Sequence, residues 1–214
     1  EANGFTPGNA LIFKYVDNEN QIVQPVNISF PFSGYDEVFT SQGSAIVRLS
    51  ASYVPPEQHI LQLQQGWTAV SSYLAPENPA MDIVLDELMP QLEIIQNLTA
   101  YYQPGNGESN LMTWNYKSGY FIRAGQATEL TISGFTPTDK SITLQTGWNL
   151  VSVLSETSIP ITDLFSENIE KLEIVKEPAG TSLFWPDMDI SDLKFFEPGK
   201  AYLVKVSDGF TIEY

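Results

Sequence analysis

Two Gly-Trp stretches constrain the fold of this chain more than any other feature. GWNLVSVL occupies positions 147–154, and a related stretch, GWTAVSSYL, occupies positions 66–74. The two Gly-Trp pairs lie 81 positions apart, and five further matched pairs follow in the same order at offsets of 80–82. Because this period exceeds the roughly 20–50 residues of solenoid repeats, we predict that each copy is a small domain or half of a pseudo-symmetric one.

The matched blocks predict the same succession of strands and one short helix in each copy. They pair 92–95 with 172–175, 101–104 with 183–186, Gly119 with Gly199, 120–123 with 202–205, and 130–132 with 210–212. Apolar side chains on both faces of each Gly-Trp stretch indicate a strand covered on both sides. Since buried aromatic rings dominate the cores of small β-domains, we expect Trp67 and Trp148 to be buried.

The remaining elements of each copy follow from local signals. Asn78-Pro79 suits the start of a helix, which apolar spacing extends to position 91, and a second short helix is expected after Pro160. Strands are predicted over 92–97, 99–103, 120–124 and 129–133.

The first 58 residues belong to a different predicted module. Strands are expected over 11–17, 26–30 and 44–50, and Pro55-Pro56 lies in the best linker of the chain. So few strands bury little apolar surface, and we predict that this module is completed from outside: by upstream strands, by the first Gly-Trp copy, or by a neighbouring subunit that donates a strand. The predicted fold is therefore mainly β, with a partial β-sandwich-like module over 1–58 and two homologous β-rich modules over 59–135 and 136–214.

The repeated pattern resembles a module found near the C-termini of secreted multidomain proteins of Bacteroidota. Such modules begin with a GWNLIS-like strand, carry a Y-x-P block midway and end in a Gly-Tyr strand that closes with Lys or Arg. The matching residues here are GWNLVS at 147–152, YQP at 102–104 and GYFIR at 119–123. The first copy departs from the pattern at Thr68-Ala69, and the second inserts Lys200-Ala201 before its Tyr. In the N-terminal module, Gly8, LIFK at 11–14 and Asp17 resemble the closing strands of another module of these proteins.

The resemblance implies a role without catalysis. Modules of this kind are structural or adhesion segments, or fibre and assembly subunits, of proteins exported by the type IX secretion system. It therefore implies an extracellular or cell-surface location, with other domains or subunits of the same protein as partners.

Charge and composition narrow the possible partners. The chain has 26 acidic and 10 basic residues and a formal net charge of −16. A strongly acidic surface argues against nucleic acid and anionic membranes, because both require a basic patch. No apolar run reaches 18 residues, so membrane insertion is not expected. The absence of cysteine excludes disulfides, thiol catalysis and Cys-ligated zinc.

Two groups of residues are candidate binding sites. Aromatic side chains near the loop at 104–110 and at the matching end of the second copy predict a carbohydrate-binding platform, unless they belong to the core; the candidates are Tyr102, Trp114, Tyr116 and Trp185. Asp187, Asp189 and Asp192 present three oxygen ligands of the kind that calcium prefers, although the loop lacks the glycine and the closing glutamate of an EF-hand. The alternative for this loop is a solvated acidic turn.

No catalytic residues are predicted. His59 is the single histidine, and we expect it to be a surface residue without a partner. No spacing singles out a pair of carboxylates for glycoside hydrolysis. The alternatives to a structural role are accordingly a carbohydrate-binding module and an accessory domain of a secreted hydrolase, with calcium as the one candidate cofactor.

Overall fold

The computed structural model describes residues 14–17, 22–25, 27–31, 47–50, 55–178 and 180–214. These residues form twenty β-strands and only short helices, which confirms the prediction of a mainly β fold. Backbone contacts divide the chain into two compact units, Glu1–Pro55 and Pro56–Tyr214. Within the described part, no helix is both long enough and apolar enough to cross a membrane.

The described part of the first unit contains two antiparallel strand pairs. β1 (Lys14–Asp17) pairs with β2 (Ile22–Pro25), and β3 (Asn27–Ser29) pairs with β4 (Arg48–Ser50). β1, β3 and β4 fall within the three predicted strands, whereas β2 was not predicted. Of the other residues of the predicted strands, Phe30 and Val47 are not in strands and the rest lie outside the described residues. Leu49 on β4 is 47% exposed.

The first half of the second unit, residues 56–135, builds two sheets. Its strands are β5 (Glu57–Leu63), β6 (Gly66–Val70), β7 (Ala75–Pro76), β8 (Leu92–Gln96), β9 (Tyr101–Tyr102), β10 (Tyr120–Ala124) and β11 (Thr128–Phe135). One sheet has the order β5-β11-β7 and the other the order β6-β10-β8-β9. Alternate side chains of both sheets enter one core, because β5 contributes Leu61 and Leu63, and β10 contributes Tyr120 and Ile122.

The second half, residues 136–214, contains a similar succession. Its strands are β12 (Ser141–Leu144), β13 (Gly147–Val151), β14 (Ile159–Pro160), β15 (Leu172–Lys176), β16 (Leu183–Trp185), β17 (Ile190–Ser191), β18 (Phe195–Phe196), β19 (Tyr202–Val206) and β20 (Phe210–Glu213). β12 pairs with β20, β14 pairs with β18, and a five-stranded sheet has the order β13-β19-β15-β16-β17. A separate core lies inside this half.

The helices are shorter than predicted. α1 (Met81–Val84) is followed by a 3-10 turn at Asp86–Leu88, and α2 (Ile161–Leu164) by 3-10 turns over Ser166–Lys171. The helix starts after Ala80 rather than at Asn78-Pro79, because the Asn78 Oδ1 atom accepts the Ala80 N–H at 3.0 Å in a turn that precedes the helix. A third 3-10 turn spans Pro186–Met188.

A buried tyrosine organises each core in the same way. The Tyr120 ring packs on Trp114 at 4.3 Å between centroids, and the Tyr202 ring stacks on Phe196 at 4.4 Å. The hydroxyl of Tyr120 accepts the Asn115 N–H at 2.6 Å, and that of Tyr202 accepts the Glu197 N–H at 3.1 Å. Burial raises the pKa of both tyrosines to about 12, so the hydroxyls stay protonated.

Backbone bridges also connect strands of the two halves. Val70 at the end of β6 bridges to Lys200, and Val151 at the end of β13 bridges to Ser118. Lys200 and Ser118 lie just before β19 and β10, which pair with β13 and β6 respectively. The four strands therefore contact one another in a cycle, β6 to β10 to β13 to β19 and back to β6. This cycle joins the two cores through backbone hydrogen bonds.

The strand cycle corrects one match made from the sequence. Gly119 donates its N–H to the Leu150 carbonyl at 3.1 Å, and Ala201 donates to the Ala69 carbonyl at 3.4 Å, so Gly119 corresponds to Ala201. Gly199, with which it was matched, has a φ of +85° and precedes the bridge. The insertion before Tyr202 thus continues the strand.

Candidate recognition surfaces

Trp67 and Trp148 lie on the outer faces of their sheets, so the prediction that they are buried is wrong. Their side chains are 45% and 47% exposed. Side chains alternate along a strand, and Val70 and Val151, each three positions after its tryptophan, enter the core. The tryptophans consequently point outward.

The turn before each tryptophan has the same construction in both halves. The preceding glycines have φ values of +89° and +93°, in the region that glycine adopts most readily. A side-chain oxygen after each tryptophan accepts a backbone N–H across the turn, in the pairs Gln64 N–H to Thr68 Oγ1 at 3.0 Å and Gln145 N–H to Asn149 Oδ1 at 2.8 Å. These bonds fix the strand direction and therefore the outward position of the indole.

Each tryptophan heads a row of three exposed side chains across its sheet. Trp67 lies opposite Arg123 on β10, and the Arg123 Nε atom pairs with Glu93 Oε2 on β8 at 2.9 Å. We call this set, Trp67, Arg123 and Glu93, the first Trp row. The second Trp row is Trp148, Lys205 and Glu173, in which Lys205 Nζ lies 2.6 Å from Glu173 Oε2. Exposed ion pairs of this kind stabilise a fold little, so stability does not account for their recurrence.

Comparison of the two halves separates the rows from the cores. Some buried positions have diverged among apolar side chains, as in the pairs Leu61 and Ile142, Ile95 and Val175, Ile122 and Val204, and Trp114 and Phe196, whereas others are identical, as in Val70 and Val151 or Tyr120 and Tyr202. The exposed tryptophan is the same in both halves. An exposed tryptophan is not needed for the core, so its recurrence indicates a surface role.

The aromatic platform proposed from the sequence is not formed as predicted. Trp114 is 3% exposed beneath Tyr120, so no ligand can reach its ring. The other three candidates are half-buried: Tyr102 packs on the first core, Tyr116 packs on the second core and donates its hydroxyl to the Asp139 carbonyl at 3.2 Å, and Trp185 lies on β16. The exposed indoles are those of the Trp rows, which sequence reasoning placed in the core.

The candidate calcium loop has no clustered ligands. Asp187, Asp189 and Asp192 are exposed, and in the described part of the chain no three acidic or histidine side chains converge on a possible metal position. Asp189 instead ends the 3-10 turn with a φ of +55°, a conformation that aspartate tolerates better than most residues. The alternative of a solvated acidic turn describes this loop.

His59 is not an isolated surface residue, contrary to expectation. It lies half-buried on β5, where its ring packs on Tyr73 at 4.2 Å and its Nδ1 atom is 3.1 Å from Ser72 Oγ. Burial lowers the pKa of His59, which favours the neutral ring. Ser72 Oγ also accepts the Leu74 N–H at 3.1 Å, and the direction of its bond to His59 Nδ1 depends on the tautomer of the ring.

A cleft of about 350 Å³ separates the two halves beside His59. Its walls include Gln64 and Thr68 from the first half and Glu177 and Lys200 from the second. Lys200 pairs with Glu177 at 2.9 Å and with Glu197 at 2.7 Å, and these bonds outweigh burial and raise the pKa of Lys200. Ser72 is fully buried, so its pairing with His59 presents no nucleophile to this cleft.

Comparison of the chain with protein-family models, with curated proteins and with solved structures found no match. The function is therefore inferred from the geometry of the Trp rows and of the cleft.

Proposed function

We propose that the chain is a non-catalytic structural or adhesion module of a secreted or surface-attached protein, and that it recognises its partner through the two Trp rows. One observation carries this proposal. The same exposed tryptophan, opposite an ion-paired basic residue, occurs in both halves although several of the buried residues have diverged. Tryptophan and arginine are the residues most enriched at binding hot spots.

The strand cycle supports rigid presentation of both rows. Trp67 lies on β6 and Trp148 on β13, and each of these strands pairs with residues from both halves. Ser71, fully buried beside the bridge, donates its hydroxyl to the Lys200 carbonyl at 2.5 Å and accepts the Val153 N–H at 3.0 Å. Side chains mounted on such paired strands are held more precisely than side chains on loops.

The geometry around His59 supports a role without catalysis. A serine nucleophile must be both hydrogen-bonded to its base and open to substrate. Ser72 satisfies the first condition but has no exposed surface. The resemblance to GWNLIS-type modules supports the same role and an extracellular or cell-surface location, with other domains or subunits of the same protein as neighbours.

The test measures retention of three polymer classes on the immobilised 214-residue chain: a neutral polysaccharide, a polyanionic polysaccharide and a fibrous protein such as collagen. We expect the wild type to retain at least one class and the Trp67→Ala/Trp148→Ala variant to retain none. Ile60→Ala is the matched control, because Ile60 is an exposed apolar residue (51%) on β5, outside both rows.

Thermal melts of the three proteins accompany the assay, since loss of binding counts only if the double variant is still folded at the assay temperature. The proposal fails if the wild type retains no polymer, or if the folded double variant retains as much as the wild type.

A further inference from the structure

We infer that each Trp row is a subsite for one sugar ring of a neutral glycan, an inference that rests on the proposed function of the rows. The two subsites would allow one polysaccharide chain, or two neighbouring chains, to engage both halves.

The shape and chemistry of a row match a sugar ring better than a protein surface. An indole that is about half exposed on the outer side of a sheet offers an apolar surface of about the size of a pyranose ring. The ion pair next to it, Arg123 with Glu93 in the first row, supplies both donors and acceptors for hydroxyl groups. Protein hot spots instead lie within apolar pockets from which water is excluded. Here the indole is flanked by exposed charged groups.

The positions beside the indoles limit the apolar area further. Ala69 follows Trp67 on the same face of β6 and carries only a methyl group, and Leu150, at the same place after Trp148, is itself buried. The side chains opposite these positions, Phe121 and Leu203, are half-buried, so the indole is the most exposed apolar group beside each ion pair.

The ion pairs of the rows and the net negative charge of the chain favour neutral glycans over anionic ones. The basic group of each row is already neutralised by a carboxylate at 2.9 Å or 2.6 Å, so it does not provide an open anion site. The chain as a whole carries a formal charge of −16, which repels sulfated and uronic polymers over a Debye length of about 8 Å at physiological salt. Uncharged polysaccharides do not experience this repulsion.

Two equivalent subsites give avidity towards any polymer that spans both of them. When one polymer engages both rows, the second contact forms within an already bound complex and strengthens the overall binding by about a hundredfold or more. Loss of one tryptophan should therefore weaken binding to a polymer more than binding to a single sugar ring.

The experiment is affinity electrophoresis of the full chain in native gels that contain a neutral polysaccharide, with hydroxyethylcellulose and mannan as the probes. We expect at least one of them to retard the wild type. Trp67→Ala and Trp148→Ala should each weaken the retardation at least about tenfold, the double variant should migrate as in a gel without polysaccharide, and Ile60→Ala should behave as the wild type. Dextran sulfate should not retard any of these proteins.

The outcomes separate this inference from the proposed function. If neither neutral probe retards the wild type while collagen or the polyanion is retained in a tryptophan-dependent way, the glycan inference falls and the adhesion role stands. If both single variants are retarded as strongly as the wild type, the rows are not glycan subsites. If the folded double variant also keeps every interaction of the wild type, both proposals fail.

Discussion

Gly119→Ala is the substitution that tests the strand cycle most directly. A Cβ atom at position 119 would lie 2.6 Å from the Ala201 Cβ, 2.9 Å from the Leu150 Cγ and 3.3 Å from the Val151 carbonyl oxygen. Carbon atoms are at optimal separation at about 3.5–4.0 Å, so the two carbon contacts are severe overlaps. The Ala201 Cβ is fixed to its own backbone and cannot rotate away. Relief requires the strands of the two halves to separate.

The size of the effect follows from two opposing terms. Overpacking a tight site costs about 1–3 kcal/mol, and this site belongs at the upper end because a strand must move. Replacing glycine by alanine stabilises by about 0.4–1 kcal/mol through the unfolded chain. The expected net loss is about 2 kcal/mol, which lowers the melting temperature of a unit of this size by about 4–8 °C.

Calorimetry of the full chain measures the loss of stability caused by Gly119→Ala. Two further variants show whether this loss arises from the contact between positions 119 and 201. Gly107→Ala is the control, because no atom lies within 4 Å of its added Cβ and it should melt within about 2 °C of the wild type. The double variant Gly119→Ala/Ala201→Gly exchanges the two side chains and should recover part of the loss, since contacting residues couple by about 0.5–3 kcal/mol. Equal melting temperatures for Gly119→Ala and Gly107→Ala would refute the packing of the two halves described here.

Three other measurements bear on separate features. Ser71→Ala should lower the free energy of unfolding by about 1–3 kcal/mol, because it leaves the Lys200 carbonyl and the Val153 N–H unpaired. Ser152→Ala should be nearly neutral, because the buried Ser152 Oγ has no partner among the described residues. Equal losses for the two variants in urea titrations would contradict this prediction. Burial lowers the pKa of His59 below its usual 6.5, so the unfolded chain binds more protons and wild-type stability should fall as the pH drops from about 7 to 5. The stability of His59→Gln should fall less over that range. Identical dependence of stability on pH in the two proteins would be evidence against burial of the ring. Sedimentation of the chain tests whether the module over residues 1–50 is completed by a neighbouring subunit, for which the exposed Leu49 is a candidate contact. A concentration-dependent dimer or larger assembly is expected. A strict monomer would exclude strand donation between chains.

Local patterns in the sequence predicted most strands of the second unit. β10 was predicted over 120–124 and β8 over 92–97, and the structure has Tyr120–Ala124 and Leu92–Gln96. β10 alternates between buried and less buried positions, β8 buries Leu92 and Ile95, and both strands are bounded by turn residues, so neighbouring residues largely determine them. Of the four apolar residues whose spacing predicted this helix, Met81, Leu85 and Leu88 are buried and Val84 is half-buried, although the helix itself ends after one turn.

The faces of the Gly-Trp strands could not be predicted in this way. Trp67 and Ala69 lie on one face of β6 and Val70 on the other, so both faces carry apolar side chains and the pattern marks neither as exposed. The orientation is set by pairing of Val70 with Tyr120, and the strand cycle by contacts such as that of Ser71 with Lys200, 129 positions away. A shift of one residue in that pairing would bury the indole.

The same limit explains why two tryptophans exchanged their expected roles. Trp114 was taken for a surface ring and Trp67 for a core ring, because apolar character alone does not show which ring has a covering partner. Tyr120 covers Trp114, and the equivalent position in the second half is Phe196, so this site requires an aromatic ring but not an indole. Trp67 has only an ion-paired arginine opposite, and its equivalent is again tryptophan. The recurrence of an exposed tryptophan, at a distance from a buried position that has changed from Trp114 to Phe196, makes the Trp rows the first candidates for a ligand-binding surface.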